Sequence, residues 1–301
     1  MHKTVLLTGG TGLVGRQLQN ALVEGGHQVH ILSRSRRTSN SALVHFFQWD
    51  VAAGTIEDGA LKGVTDVIHL AGASIAERWT SSYKKTVIDS RVESAQLILK
   101  HLKANDQRVE SYISASASGI YQPNTGGVIY EDFGLIDKGF LGEVCTKWEA
   151  AADEFDAVAD RIVKHRIGIV LDSQGGALAK MLPPIKFGLA PYFGSGNQYY
   201  SWIHIQDLVN QFVFSLENEL EGVYNAVTAY LTQKELNQAL AGVLGKKALA
   251  LPAPKFALQL AMGEMHRILT DSLQLSNQKI KEKGFQPGFN TIEETLINLF
   301  E

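Results

Sequence analysis

The chemistry in this sequence sits in a few short stretches, the first of them TVLLTGGTGLVG, Thr4 to Gly15. An apolar run ends there in four glycines within seven residues, so that Gly9-x-x-Gly12-x-x-Gly15 and Gly10-x-Gly12-x-x-Gly15 both fit. Between a strand and a helix each glycine has a mechanical use. The first permits a tight turn, the middle one lets a pyrophosphate reach main-chain N–H groups, and the last lets the helix pack closely on the sheet. Free N–H groups and the positive end of the helix dipole then hold the anion. Gly9, Gly10, Thr11, Gly12, Leu13, Val14 and Gly15 are therefore the expected cofactor loop; a glycine-rich turn with no ligand is the plainer alternative.

An NAD site carries an acid about 20 residues beyond such a loop, where it accepts from the ribose 2′-OH. Here that place reads LSRSRR, with Ser33, Arg34, Arg36 and Arg37 and no acid. A hydroxyl beside guanidinium forks suits a 2′-phosphate, which makes NADP(H) the expected cofactor. Solvated arginines on a surface loop are the competing reading.

These groups need a frame to hold them. Apolar runs rich in Val, Ile and Leu recur at 4–9, 28–33, 66–72, 111–117 and 161–171, with helical spacing at 13–25, 83–103 and 143–159. Alternating strand and helix lengths predict βαβ units, hence an α/β fold with a doubly wound parallel sheet of Rossmann type. After residue 172 Gly, Pro and Ser become dense, which predicts loops and short elements. The expected division is a cofactor-binding domain over 1–172 and a smaller α+β substrate lobe over 173–301, partly interleaved, with parts of 200–230 completing the sheet. Within that lobe 207–218 has helical spacing and 222–227 reads as a strand. Thr232 with Glu235 and Thr291 with Glu294 read as capping boxes.

Composition narrows the function classes. The 301 residues are 45% hydrophobic, enough for a sizeable core, and carry 28 Lys and Arg against 31 Asp and Glu. No block of five like charges occurs, so nothing electrostatic points to nucleic acid or a membrane surface. The single cysteine, Cys145, rules out an internal disulfide, and no Cys/His spacing suggests a metal. With no signal-like or membrane-length apolar run, the expectation is a cytoplasmic protein, monomer or homodimer, that takes a small-molecule substrate.

The chain resembles the extended short-chain dehydrogenase/reductase superfamily, which holds sugar-nucleotide epimerases and dehydratases. GGTGLVG (9–15), VIHLAG (67–72) and SWIHIQDLV (201–209) carry the broad likeness. Arg78-Trp79, SRVES (90–94), SASASGIY (114–121), CTKWEAAA (145–152), GGALAKMLPPIKFGL (175–189) and GSGNQYYSWIH (194–204) look like one atypical branch. Its members are called epimerase family proteins, sometimes cell-division inhibitors, and have a C-terminal domain of unknown function. The resemblance implies that Ser33 and Arg34 meet the 2′-phosphate and that Leu70, Ala71 and Gly72 lie along the ribose side. It further implies Thr86 and Arg91 on a helix flanking the cofactor, Gly142 near the nicotinamide end, and Asp50 near the adenine. An ordinary helix-surface arginine and a solvated turn aspartate are the alternatives for Arg91 and Asp50.

The wider superfamily uses a Tyr-x-x-x-Lys pair, in which the lysine lowers the tyrosine pKa for proton exchange, with a serine one strand earlier. Ser116 is the serine candidate, with Ser114 and Ser118 as neighbours, but no tyrosine occurs from 131 to 191. Lys147, four residues after Glu143, reads as half of a helix-surface ion pair. Tyr121 is the best phenol available as a relocated acid. Cys145 reads as a packed small hydrophobe, and His69 and His204 as structural histidines. Trp79, Trp148 and Trp202 either wall a pocket or belong to the core, and Arg78 could receive an anion. Two functions compete: an NADP(H)-dependent oxidoreductase or epimerase acting on a small hydroxyl or carbonyl compound, which a nucleotide sugar would also be, and an NADP(H)-binding regulatory or sensor protein without hydride transfer.

Overall fold

A computed structural model describes residues 2–301. Strand β1 (Thr4–Thr8) runs through the glycine loop into α1 (Leu13–Glu24), followed by β2 (Gln28–Ser33), β3 (Val44–Asp50) and the short β4 (Thr55–Ile56). The chain then forms β5 (Asp66–His69), α2 (Ser81–Ala104), β6 (Val109–Ala117), α3 (Phe140–Asp153) and β7 (Ala159–Ile167). Next come β8 (Ile169–Asp172), α4 (Gly176–Lys186), β9 (Leu189–Phe193), β10 (Tyr199–His204), α5 (Ile205–Glu217) and β11 (Gly222–Ala226). The rest comprises β12 (Ala229–Thr232), α6 (Gln233–Val243), β13 (Leu249–Ala253), α7 (Lys255–Met262), α8 (Arg267–Thr270), α9 (Gln278–Glu282) and α10 (Ile292–Phe300).

The main sheet has the order β11-β7-β6-β5-β1-β2-β3-β4, parallel throughout except for the β3–β4 edge pair. Its central strands are buried on both faces, as continuous Val, Ile and Leu runs require. One face packs Leu18 and Leu22 of α1 against Leu208 and Phe212 of α5. The other packs Ala95, Ile98 and Leu102 of α2 against Ala151 of α3 and Phe155. This is a doubly wound Rossmann-like α/β fold, and the winding reverses between β1 and β5. The crevice beyond the carboxyl ends of those two strands is where such folds bind ligands.

A smaller assembly, β12-β10-β8 with β13-β9, forms its own core from Leu178, Leu182, Trp202, Leu236, Leu240 and Leu296. Both capping boxes form, at Thr232/Glu235 and Thr291/Glu294. Two expectations need correction here. The run 161–171 is two strands in different sheets, divided at Gly168, where a Cβ would stand 2.5 Å from the Ser201 carbonyl oxygen. The glycine- and proline-rich stretch after 172 contains an eleven-residue helix, α4, despite Pro183 and Pro184 inside it. Each proline deletes an intrahelical bond, but Leu178, Leu182 and Ile185 bury one face and decide the outcome.

Two buried histidines link this core to pH. His165 accepts at Nδ1 from Gln211 and donates from Nε2 to Ser215, each at 3.0 Å, and His69 meets Ser94 Oγ at 2.9 Å. Burial lowers both pKa values to about 3, with Arg91 adding to the effect at His69. The unfolded chain takes up these protons near pH 6.5 while the native state resists them, so their contribution is complete above pH 6.5 and is lost as pH falls toward 3. By pH 5 each should cost about 2 kcal/mol of stability. Urea unfolding of the wild type should show that decline between pH 7 and 5, and His165→Asn, although less stable at pH 7, should have a visibly shallower slope; an unchanged slope refutes the assignment.

Candidate functional site

The carboxyl ends of β1 and β5 are stitched together by Thr8, whose hydroxyl accepts from the N–H groups of Leu70 and Ala71, both at 3.1 Å. Gly9 follows with φ +68°, and a Cβ on it would lie 2.9 Å from the Leu70 carbonyl. Only glycine meets both conditions without strain. A Cβ on Gly15 would lie 2.1 Å from the Gly9 oxygen, so α1 starts in backbone contact with the loop that precedes it. Helix α1 is capped at Gly12 by no side chain and has no acid in its first turn. Thr11 and Gly12 are exposed, and Leu13 and Val14 are half-buried. Uncapped N–H groups at a dipole's positive end, beside bare backbone, form an anion cradle.

At the end of β2, Ser33 is buried and its Oγ accepts from Ser35 N, while Arg34, Arg36 and Arg37 are exposed. None of the three arginines forms an ion pair among the described residues. Asp50, exposed at the end of β3, accepts from Ala53 N and so caps a turn. On the other side of the crevice the Arg91 guanidinium covers Gly72, where a Cβ would stand 2.9 Å from Cζ. Arg91 therefore turns inward from α2. Thr86, on the same helix, is exposed, and its hydroxyl donates to the Ser82 carbonyl.

Beyond Arg91 opens a cavity of about 360 Å³ between the main sheet and the second lobe. Its walls include Ile75, Ser118, Tyr121, Trp148, Ile169 and Ile268, with Tyr199, Tyr200 and Ser201 from β10. Four residues of α3 face it, Leu141, Val144, Cys145 and Trp148, and neither of the two pairs spaced four apart holds a tyrosine or a lysine. Burial and then the Glu149 charge push the Cys145 pKa up to about 12, which leaves a neutral thiol packed in an apolar cluster. Lys147 is on the outside of the helix, paired with Glu143 at 2.7 Å, both side chains about half exposed.

Ser116 and Tyr121 belong to one buried network. The Ser116 hydroxyl donates to Glu149 Oε1 at 2.7 Å and is turned to α3, so Ser116 does not reach the cavity wall; Ala117 and Ser118 do. Glu149 receives Arg166 in a two-pronged pair, Nε to Oε1 at 2.8 Å and Nη2 to Oε2 at 2.9 Å. Burial works against the Arg166 charge, but hydrogen bonds and charge from Glu149 outweigh it and hold the pKa above its usual value. Arg166 also donates to the Tyr121 oxygen at 3.0 Å and stacks on its ring, while the phenol donates to Asn225 Oδ1 at 2.7 Å. Burial pushes the Tyr121 pKa up to about 12, with Arg166 opposing. Tyr121 thus lines the cavity with its hydroxyl already engaged.

The remaining sequence candidates divide plainly. Gly142 packs against Asp137, whose carbonyl oxygen a Cβ there would meet at 1.9 Å. His204 caps α5, its ring accepting from Gln206 N and stacked on Phe289. Trp202 is core, Trp148 walls the cavity beneath Arg91, and Trp79 packs on Phe140 with its N–H on the Ile75 carbonyl. Arg78 is exposed and outside the cavity. The sequence reading missed Asp137, Arg267 and Asp271. Arg267 Nη2 meets Asp137 Oδ1 at 2.8 Å and Asp271 Oδ2 at 3.0 Å, closing the C-terminal segment on the cavity mouth. With 130 residues between Asp137 and Arg267, no local spacing signals that pair.

A profile of the NAD dependent epimerase/dehydratase family matches residues 5–135, and a domain of unknown function, DUF1731, matches residues 253–299. The chain is 33% identical over 304 residues to an epimerase family protein of Staphylococcus aureus strain NCTC 8325, covering 99% of each chain. One from Staphylococcus epidermidis is 32% identical over 307 residues, again with 99% coverage of both. The fold superposes on human epimerase family protein SDR39U1, solved with NADPH, with a TM-score of 0.86 at 30% identity over 98% of both chains. The nucleoside-diphosphate sugar epimerase of Corynebacterium glutamicum gives a TM-score of 0.77 at 25% identity, over 98% of this chain and 57% of that one. A Thermus thermophilus UDP-glucose 4-epimerase solved with NAD is similar in fold, with a TM-score of 0.79 at 19% identity.

The buried pair carries its own test. Glu149→Ala leaves the Arg166 guanidinium, 12% exposed, without its acid, and should cost about 3 to 5 kcal/mol in urea unfolding. Glu149→Leu combined with Arg166→Met should regain a large part of that loss, and a single variant as stable as wild type refutes the network's structural role.

Proposed function

The chain belongs to the NAD dependent epimerase/dehydratase family, and we propose that it binds NADP(H) across the β1–β5 crevice as an oxidoreductase or epimerase of a small hydroxyl or carbonyl compound. The observation that carries this reading is the uncapped N-terminus of α1, with bare backbone from Gly9 to Gly15 at the switch point of the sheet. Gly9, Gly10, Thr11, Gly12, Leu13, Val14 and Gly15 hold the pyrophosphate in this proposal. Ser33 and Arg34 take the 2′-phosphate, a role supported by the absence of an acid at the end of β2 and by the exposed, unpaired guanidinium. Leu70, Ala71 and Gly72 line the ribose side, with Thr86, Arg91 and Gly142 further along. The NADPH in the human relative's structure agrees with this choice.

When bound, the cofactor supplies or accepts hydride. The protein's share is to hold and orient the substrate in the cavity, with residues 173–301 forming the outer wall as substrate lobe. Ser118 offers the cavity a hydroxyl on the wall. Ser116 and Tyr121 act one step back: through Glu149 and Arg166 they fix the loop that carries Ser118. A second reading, a cofactor-dependent regulatory protein without turnover, draws support from an α3 face that presents no tyrosine or lysine to the cavity.

Fluorescence titration should show tight NADPH binding, and Arg34→Ala should weaken NADPH at least tenfold while changing NADH less than twofold; equal losses would remove Arg34 from the 2′-phosphate. Incubation with NADP⁺ or NADPH and a broad panel of small alcohols and carbonyl compounds separates the two readings. Measurable turnover supports the enzyme and excludes the regulator, whereas tight cofactor binding with no turnover across the panel favours the regulator.

A further inference from the structure

We propose that the second lobe carries a peripheral docking surface for an anionic lipid bilayer, built from β9, β13 and α7. The four most exposed large apolar side chains among the described residues are Leu260 at 89%, Phe187 at 84%, Phe256 at 74% and Leu249 at 64%. All four lie on β13 and α7 or at the turn that enters β9. Helix α7, KFALQLAM, is apolar at six of its eight positions yet buries no residue. A helix that is apolar all round is ordinarily covered, and exposed apolar surface gathered in one place marks an interaction site.

Strand pairing sets the layout. β9 and β13 run parallel with Leu189 beside Leu249 and Pro191 beside Leu251, so these four share one face of the two-stranded sheet. The opposite face turns to α6: Ala190 is buried there, and Lys234 of α6 lies over the Tyr192 ring. Phe187 stands at the start of this sheet, since the next residue, Gly188, accepts from Leu249 N at 2.8 Å. Beyond the other end of β13, Phe256 and Leu260 are four positions apart and share one side of α7.

Charge selects the partner. Segments 176–203 and 236–263, which supply this surface, hold five lysines and no Asp, Glu, Arg or His, although the whole chain carries a net charge of −3. Lys186, Lys246 and Lys247 sit at one end of the sheet, and Lys255 sits at the other, against Gly194. All four are exposed, and none forms an ion pair among the described residues. The sequence shows no block of like charge because the two segments meet only on folding. Lysines around a protruding apolar centre match negatively charged headgroups over acyl chains, with the ammonium groups at the headgroups and Phe and Leu entering the acyl boundary. Two copies face to face would instead set lysine against lysine. Pro191 and Pro252, one in each strand, together with the flanking lysines, unfit the sheet edges for pairing with another strand.

Co-sedimentation of the full chain with vesicles of phosphatidylcholine alone, and of phosphatidylcholine mixed with phosphatidylserine, tests this. Partition into the mixed vesicles should be at least tenfold stronger, and that preference should largely vanish at about 1 M salt, where the Debye length falls to about 3 Å. Phe256→Ser combined with Leu260→Ser should weaken binding to the mixed vesicles at least tenfold, as should Lys246→Gln combined with Lys247→Gln. All four side chains are exposed, so urea unfolding of both double variants should match wild type. Leu135→Ser, which removes an exposed apolar side chain outside this surface, should bind as wild type does. No partition into the mixed vesicles, equal partition into both kinds, or binding unaffected in either double variant overturns the proposal. So does a dimer in sedimentation velocity that the Phe256/Leu260 variant dissolves, because a second copy would then hold the surface.

Discussion

The ion pair between Glu149 and Arg166 is the constraint on which the middle of this structure depends. It joins α3 to β7 through two charge-assisted bonds, and each partner spends its remaining capacity on a neighbour: Glu149 on the Ser116 hydroxyl, Arg166 on the Tyr121 phenol and the Glu131 carbonyl. A buried pair of this kind is stable only when its surplus donors and acceptors are met. Ser116, Tyr121 and Asn225 meet them. The same bonds that stabilise the pair turn the serine away from the cavity and engage the hydroxyl of the tyrosine on its wall, so the two side chains best suited by type to proton transfer are occupied with structure.

A second constraint is steric and operates in the backbone. Gly15 against Gly9, and Gly9 against Leu70, bring β1, β5 and the start of α1 closer than any side chain would allow. Thr8 secures that approach with two hydrogen bonds across the switch point. The approach leaves the α1 N–H groups facing the crevice. One crevice thereby meets one cavity, with Arg91 at the junction, covering Gly72 on one side and lying on Trp148 on the other. The family supplies the frame on which this arrangement is built, while the α3 face of Leu141, Val144, Cys145 and Trp148, with no tyrosine or lysine, sets this chain's cavity apart from a Tyr-x-x-x-Lys site.

Much of the frame was legible in the residues. The glycine loop, the strand run at 28–33, the run at 66–72 of which Asp66–His69 forms β5, and both capping boxes rest on residue types a few positions apart, and local spacing reports those directly. Strand β3, VHFFQWD, was not anticipated, because its mixed burial leaves neither strict alternation nor a continuous apolar run. The division at Gly168 was equally hidden, since it depends on the Ser201 carbonyl, 33 positions away.

The sequence by itself determined the βαβ alternation of the first half, the bare-backbone loop at Gly9 to Gly15, the lack of an acid after β2, and the absence of a tyrosine–lysine pair. All of these are properties of residue type at short spacing, where backbone geometry and periodicity act. Tertiary structure alone decided which polar groups remain free. Ser116 and Tyr121 are consumed by partners from α3, β7 and β11, Arg267 by Asp137, whereas Arg91 forms no ion pair among the described residues. The availability of a side chain for chemistry depends on what else is packed within about 3 Å of it, and that is settled by chain segments that meet only after folding.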